Sequence, residues 1–206
     1  MAKKVIIIGG FHEIIELCED IGVEIVGIID NSLAGEYLGY PILGNDNDAE
    51  QIYKKYKDVP VAITPDLPVI RERLFQHYSA KGFGFQTLIS GSAKISKSST
   101  IGRGTIIQSG VNISSFCEIG DFVKLNVNAN IMHDTIVGNF STVAPNALLL
   151  GRVKVDEFCY IGANATILPN IVISRASTVG AGAVVTKDTN ENQTVIGIPA
   201  KQLNKF

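Results

Sequence analysis

His133 is followed directly by Asp134, and this pair is the sharpest chemical feature of the 206-residue sequence. An imidazole with an unperturbed pKa of about 6.5 takes up a proton near neutrality. An acidic neighbour can fix its tautomer and support the imidazolium. Such a pair suits general-base work, although a lone histidine is also a common solvated turn residue. His133 is the only histidine after His77, and the three cysteines form no CxxC pair. A histidine-rich or cysteine-rich zinc site is therefore not expected, and no metal is assigned.

The element that must position His133 is a repeat. Every sixth residue from Ile89 to Val185 is Ile, Val or Leu without a break in phase, and a small or modest side chain sits four residues after each. A six-residue period fits neither an amphipathic helix nor an alternating strand, so it belongs to a repeated unit. Three hexapeptides per coil make a parallel β-helix whose coils stack about 4.8 Å apart. Eighteen residues then return the chain to the same face, so Gly151 should lie one coil beyond His133. Its N–H is a candidate donor to an oxyanion. Cys117 and Cys159 take the small inward position and read as buried hydrophobes on different faces.

Residues 4 to 88 alternate in character. Val5 to Ile8, Glu24 to Ile29, Val59 to Ile63 and Phe85 to Ile89 read as strands. Glu13 to Asp20, Asp48 to Lys57 and Pro68 to Lys81 read as helices, with a glycine-punctuated loop holding a short extended piece from Gly35 to Gly44. Alternation implies a small Rossmann-like, doubly wound parallel sheet that binds ligands at the carboxyl ends of its strands. Those ends carry Gly9, Gly10 and His12, then Asp30 and Asn31. The glycines either admit a phosphate to the following helix N-terminus or make a tight turn. Asp30 is positioned to accept from a ribose or sugar hydroxyl, and His77 reads as solvated. The expected division is an acceptor-binding α/β domain over 1–88 and a β-helix over 89–206.

A 46% hydrophobic and 18% charged composition describes a globular chain, and a net charge of -2 without a basic, aromatic-interleaved run argues against nucleic acid as a partner. His12, Glu13 and Glu16 interrupt the apolar start too early for a signal peptide. No stretch approaches the roughly 18 apolar residues of a membrane span, so a cytoplasmic location is expected and no membrane partner.

The hexapeptide run ending in Gly197-Ile198-Pro199-Ala200-Lys201, together with Gly39-Tyr40-Pro41-Ile42-Leu43-Gly44 in the front domain, resembles the hexapeptide-repeat sugar acetyltransferases. Over essentially the whole chain the sequence is similar to those that O-acetylate sialic acid or N-acetylate UDP- and GDP-linked 4-amino sugars. The resemblance implies a left-handed β-helix, a homotrimer, acetyl-CoA as co-substrate and a role in bacterial surface-glycan biosynthesis. It implies that His133 is the catalytic base with Asp134 beside it, that Gly151 is the corresponding glycine, and that Asn126 helps form the acceptor pocket. It also gives His12 a contact with the acceptor nucleotide. Many relatives carry a second histidine nine residues after the first, where this chain has Thr142. Acetyl-CoA would lie in a groove between neighbouring β-helices, along Gly162, Gly180, Ala181 and Gly182, with Lys187 and Lys201 near its phosphates. N-acetylation of a nucleotide-linked 4-amino sugar is the expected activity. O-acetylation of a sugar hydroxyl and a non-catalytic scaffold are the alternatives.

Overall fold

The computed structural model describes residues 3–203. Its first sheet is built from β1 (Lys4–Ile8), β2 (Glu24–Ile29), β3 (Glu36–Tyr37), β4 (Tyr40–Gly44) and β5 (Val61–Ile63), in the order β3-β4-β2-β1-β5. All pairings are parallel except the β3–β4 hairpin. The unbroken apolar run of β1 has a simple cause: both of its faces are covered. Val5 and Ile7 pack with Ile14, Ile15 and Cys18 of α1 (His12–Asp20), while Ile6 and Ile8 pack toward α2 (Ala49–Lys55) and α3 (Pro68–Ser79).

Two expectations need correction. The stretch from Gly35 to Gly44 is not mainly loop, because β4 adds a parallel strand beside β2. Gly27 of β2 makes this possible, since a Cβ there would lie 2.6 Å from Leu43 Cγ. Nor is 85–89 one strand of the first sheet. Phe85 makes a single bridge to Val61, whereas Leu88–Ile89 already belongs to the coil. Apolar character alone could not divide that segment between two sheets.

From Leu88–Ile89 to Val184–Val185 a two-residue strand recurs every six residues, and each as far as Thr166–Ile167 pairs in parallel with the strand eighteen residues on. Three sheets result, one per face. The inward aliphatic residues from Ile107 to Val185 form one continuous core, its middle residues Leu125, Ile131, Val143 and Leu149 being fully buried. Inward hydroxyls are satisfied by carbonyls of the next coil, as with Ser141 Oγ donating to Asp156 O at 2.8 Å. Cys117 and Cys159 fill equivalent positions, and burial pushes the Cys159 thiol up to about 11.

The far end departs from the repeat. Thr178 pairs with Thr194, a step of sixteen rather than eighteen, in the strand Thr194–Ile196. Beyond Gly197 and Pro199 the chain runs back as an antiparallel strand, Lys201–Gln202. Gly197 O accepts from Val184 N and Val184 O from Ala200 N, while Thr189 N and Asp188 Oδ1 engage Val172. The last strand of every face is covered by this segment.

Arg71 fastens the α/β part to the coil. Its guanidinium is buried, with Nε donating to Phe122 O, Nη1 to Pro65 O and Asp66 O, and Nη2 to Phe140 O and Ser141 O. Desolvation lowers its pKa to about 10, partly opposed by Asp66, so it remains charged at neutrality. Alongside, Phe122, Phe140 and Phe158 occupy the same corner of three successive coils and stack with ring centroids 5.2 and 5.4 Å apart.

Candidate active site

His133 follows the inward Ile131 by two residues, which turns its side chain outward at a corner of the coil. Asp134 occupies the turn position itself, with φ of 58°, a left-handed conformation that aspartate tolerates better than most side chains. His133 Nδ1 lies 2.8 Å from Asp134 Oδ2, and both side chains are about half exposed. Because a carboxylate only accepts, Nδ1 carries a proton, and in the neutral imidazole Nε2 then keeps its lone pair. Nε2 has no hydrogen-bond partner among the described residues, as a base awaiting a proton requires.

Gly151 lies one coil beyond, as the repeat predicts. Arg152 N donates to His133 O at 2.9 Å, which locks the two coils in this register. A Cβ on Gly151 would stand 2.6 Å from both Cε1 and Nε2 of the imidazole. Only glycine leaves the ring this space. Among the described residues, the Gly151 N–H forms no hydrogen bond.

The first loops behave differently. Gly9 has φ of +88°, so turn geometry already demands it, while a Cβ on Gly10 would lie 2.4 Å from Leu33 Cδ1 and push that side chain aside. Asp30 Oδ2 accepts from Gly10 N, and Oδ1 accepts from Ser32 N, Ser32 Oγ and Leu33 N. Burial pushes its carboxyl up, but the hydrogen bonds from Gly10, Ser32 and Leu33 prevail and hold it below the usual range. Asn31 exchanges two hydrogen bonds with Asp46, at 2.7 and 3.0 Å. Asp30 and Asn31 thus act first as loop supports. His12 opens α1, its ring 5.3 Å from that of Phe11. His77, expected to be solvated, is instead anchored by Nε2 on Asp46 O at 2.9 Å.

The first-domain loops meet the coil at a cavity of about 220 Å³ lined by Gly9, Gly10, Phe11, Thr64, Pro65, Asp66 and Lys124. Lys124 is buried, its Nζ 2.8 Å from Thr64 O, 2.9 Å from Asp66 Oδ1 and 4.7 Å from the centre of the Phe11 ring. Desolvation lowers its pKa, and Asp66 resists that change. Asn126 is also buried, with Nδ2 donating to Asp66 Oδ1 at 3.3 Å and Oδ1 lacking a partner among the described residues. Thr142 donates to Asp66 O at 2.6 Å, so the residue replacing the relatives' second histidine is tied into the domain junction. Sequence reasoning passed over Asp66, Arg71 and Lys124. A signal existed in Ile106, apolar at an outward-facing position one coil before Lys124, and in the phenylalanines spaced by eighteen, which together mark a covered face.

On the later coils, Gly162 and Gly180 continue the column of Asn126 and Ala144. A Cβ on Gly162 would meet Ala181 N at 2.6 Å, and one on Gly180 would meet Ile196 Cγ2 at 2.7 Å, so close stacking explains both glycines. Ala181 and Gly182 lie at an exposed turn, Gly182 with φ of +67° and open space beside it. Lys187 and Lys201 are exposed. Gly151 and His133 occupy a different corner, one face further round the coil. A single chain therefore brings His133, Asp134 and Gly151 together, and gathers Gly9, Gly10 and Asn126 around Asp66, but it does not join the two sets.

Residues 4–78 match the family described as the PglD N-terminal domain. Over nearly the whole length the chain superposes on PerB from Caulobacter crescentus, with 29% identity, 99% of this chain and 98% of that one covered, and a TM-score of 0.92. That structure was solved with CoA and GDP-perosamine. Over nearly its whole length the chain is similar to hexapeptide-repeat sugar acetyltransferases. The acetyltransferase domain of PglB from Neisseria gonorrhoeae gives 28% identity over 98% of this chain and 100% of that one, with a TM-score of 0.92. WeeI from Acinetobacter baumannii gives 26% over the same shares and 0.85. No curated protein sequence matches the chain. The protein is an acyltransferase, and its coil is a left-handed β-helix that superposes on that of PerB. Among the described residues no group of three or more His, Cys, Asp or Glu could hold a metal ion, and no helix is long and apolar enough to cross a membrane.

Proposed function

We propose that this acetyltransferase carries the acetyl group of acetyl-CoA to the amine of a nucleotide-linked 4-amino sugar. The observation that supports this best is the His133–Asp134 pair lying against Gly151 with Nε2 unoccupied. Nε2 takes the proton that the amine sheds as the new N–C bond forms and the C–S bond of the thioester breaks. Asp134 holds the imidazole in the required tautomer. The Gly151 N–H donates to the carbonyl oxygen as negative charge gathers there. The sulfur leaves as a thiolate and is protonated as the imidazolium returns to neutrality.

The low wall of Gly162, Gly180, Ala181 and Gly182 offers a bed for the pantetheine arm, with Lys187 and Lys201 toward the phosphates. Gly9, Gly10, His12, Asp30, Asn31 and Asn126 border the acceptor side. The homotrimer that the resemblance implies suits this layout, since the Asn126 and His133 columns stand at different corners and one copy's wall could then face its neighbour's histidine. The reaction is assigned to the cytoplasm, where three unpaired cysteines stay reduced.

The test is CoA release from acetyl-CoA with a panel of UDP-linked amino sugars, GDP-linked amino sugars and sialic acid. Turnover confined to amino sugars supports the reading. Turnover confined to sialic acid replaces it with O-acetylation, and silence across a broad panel favours a scaffold.

A further inference from the structure

The residue that sequence reasoning nominated for a sugar hydroxyl, Asp30, already accepts four hydrogen bonds from its own loop. Asp66, just past the carboxyl end of parallel strand β5 on the far side of β1, is in the opposite condition. Its backbone carbonyl receives Arg71 Nη1 at 2.8 Å and Thr142 Oγ1 at 2.6 Å. Its Oδ1 receives Lys124 Nζ at 2.9 Å and Asn126 Nδ2 at 3.3 Å. Four side chains from α3 and the coil therefore fix one residue, yet its Oδ2 accepts from none of the described residues. The side chain is 40% exposed, and Asp66 lines the cavity beside Gly9, Gly10 and Phe11.

We infer that Asp66 Oδ2 binds a ribose hydroxyl of the acceptor nucleotide, the role expected of Asp30. This rests on the proposed nucleotide-sugar acceptor. The charges around the carboxylate select that partner. Lys124 neutralises Asp66 directly, and the buried Arg71 adds a positive charge behind it, so an ammonium group would be repelled. A neutral hydroxyl on a ligand that also carries phosphates is suited to the site. The free N–H groups opening α1, beside Gly10 and His12, favour the same anionic ligand.

Calorimetric binding of UDP and GDP, each against its 2′-deoxy and 3′-deoxy form, tests the assignment without altering the protein. Removing the recognised hydroxyl should weaken binding by about tenfold or more. In Asp66→Ala the ribonucleotide should bind about tenfold more weakly, its deoxy counterpart should bind no worse than to the wild type, and the KM for acetyl-CoA should not change. Asp66→Asn retains an oxygen for Lys124, and serves if the alanine variant does not fold. Indifference to both deoxy forms overturns the inference, as does an alanine variant that keeps the full deoxy penalty. Either result leaves the acceptor class standing, whereas failure of the wild type to bind any nucleotide removes both.

Discussion

The coil and the strand-end loops assign work to their residues in opposite ways. In the coil, a ladder of backbone hydrogen bonds carries the structure, so an outward side chain such as His133 is left with a free nitrogen. In the loops no ladder runs, and polar side chains must hold the backbone themselves, as Asp30 and Asn31 do. A conspicuous polar residue in a coil is therefore a stronger functional signal than the same residue in an irregular loop.

The largest blow to this contrast would fall on the core. Ile131→Glu places a charge in a fully buried column and should destabilise by more than about 4 kcal/mol, seen as loss of the cooperative melting transition. An unchanged melt would refute the stacked-column description. Arg71→Met should follow at about 3–5 kcal/mol in denaturant unfolding, because it strands the carbonyls that five hydrogen bonds now satisfy.

Catalytic variants should separate cleanly from these. His133→Ala should lower kcat about 100-fold or more while the melting temperature and acetyl-CoA binding hold. Retained turnover would take the base role from His133. Gly151→Ala is the finer probe, since its Cβ displaces only the mobile imidazole. Turnover should fall by a factor on the order of 100, with stability changed by less than about 0.5 kcal/mol. Loss of stability in step with activity would show that Gly151 serves packing alone.

The smallest effect belongs to Asp30→Ala, about 1 kcal/mol at neutral pH because the site is largely solvated. Its folded pKa lies below the unfolded value, so the contribution is present above the ordinary carboxylate range and disappears as pH falls through the folded value. Unfolding curves of the two proteins should converge in acid. A gap that persists there would assign the loss to packing.

The same contrast explains what could be read without coordinates. Period six gave the coil strands their register as far as Val185, and counting eighteen residues put Gly151 on His133. The alternation of apolar and polar runs likewise gave β1, β2 and α1 nearly to the residue. What escaped depends on contacts between distant segments. Strand β4 exists because Leu43 lies over Gly27, and Lys124 is buried because a loop sixty residues earlier closes on it. Neither relation leaves a local pattern, though Ile106 on an outward position hinted at the second.

A stack of parallel strands with open ends is, geometrically, a short length of fibre, and each terminal strand is a template on which another chain could grow. The segment after Val185 removes that option at one end by supplying partners to all three faces at once, from Asp188 and Thr189, from Thr194–Ile196, and from Gly197 and Ala200. Growth of the coil is thus terminated by the same chain that began it, and copies can meet side by side but not add end on at this terminus.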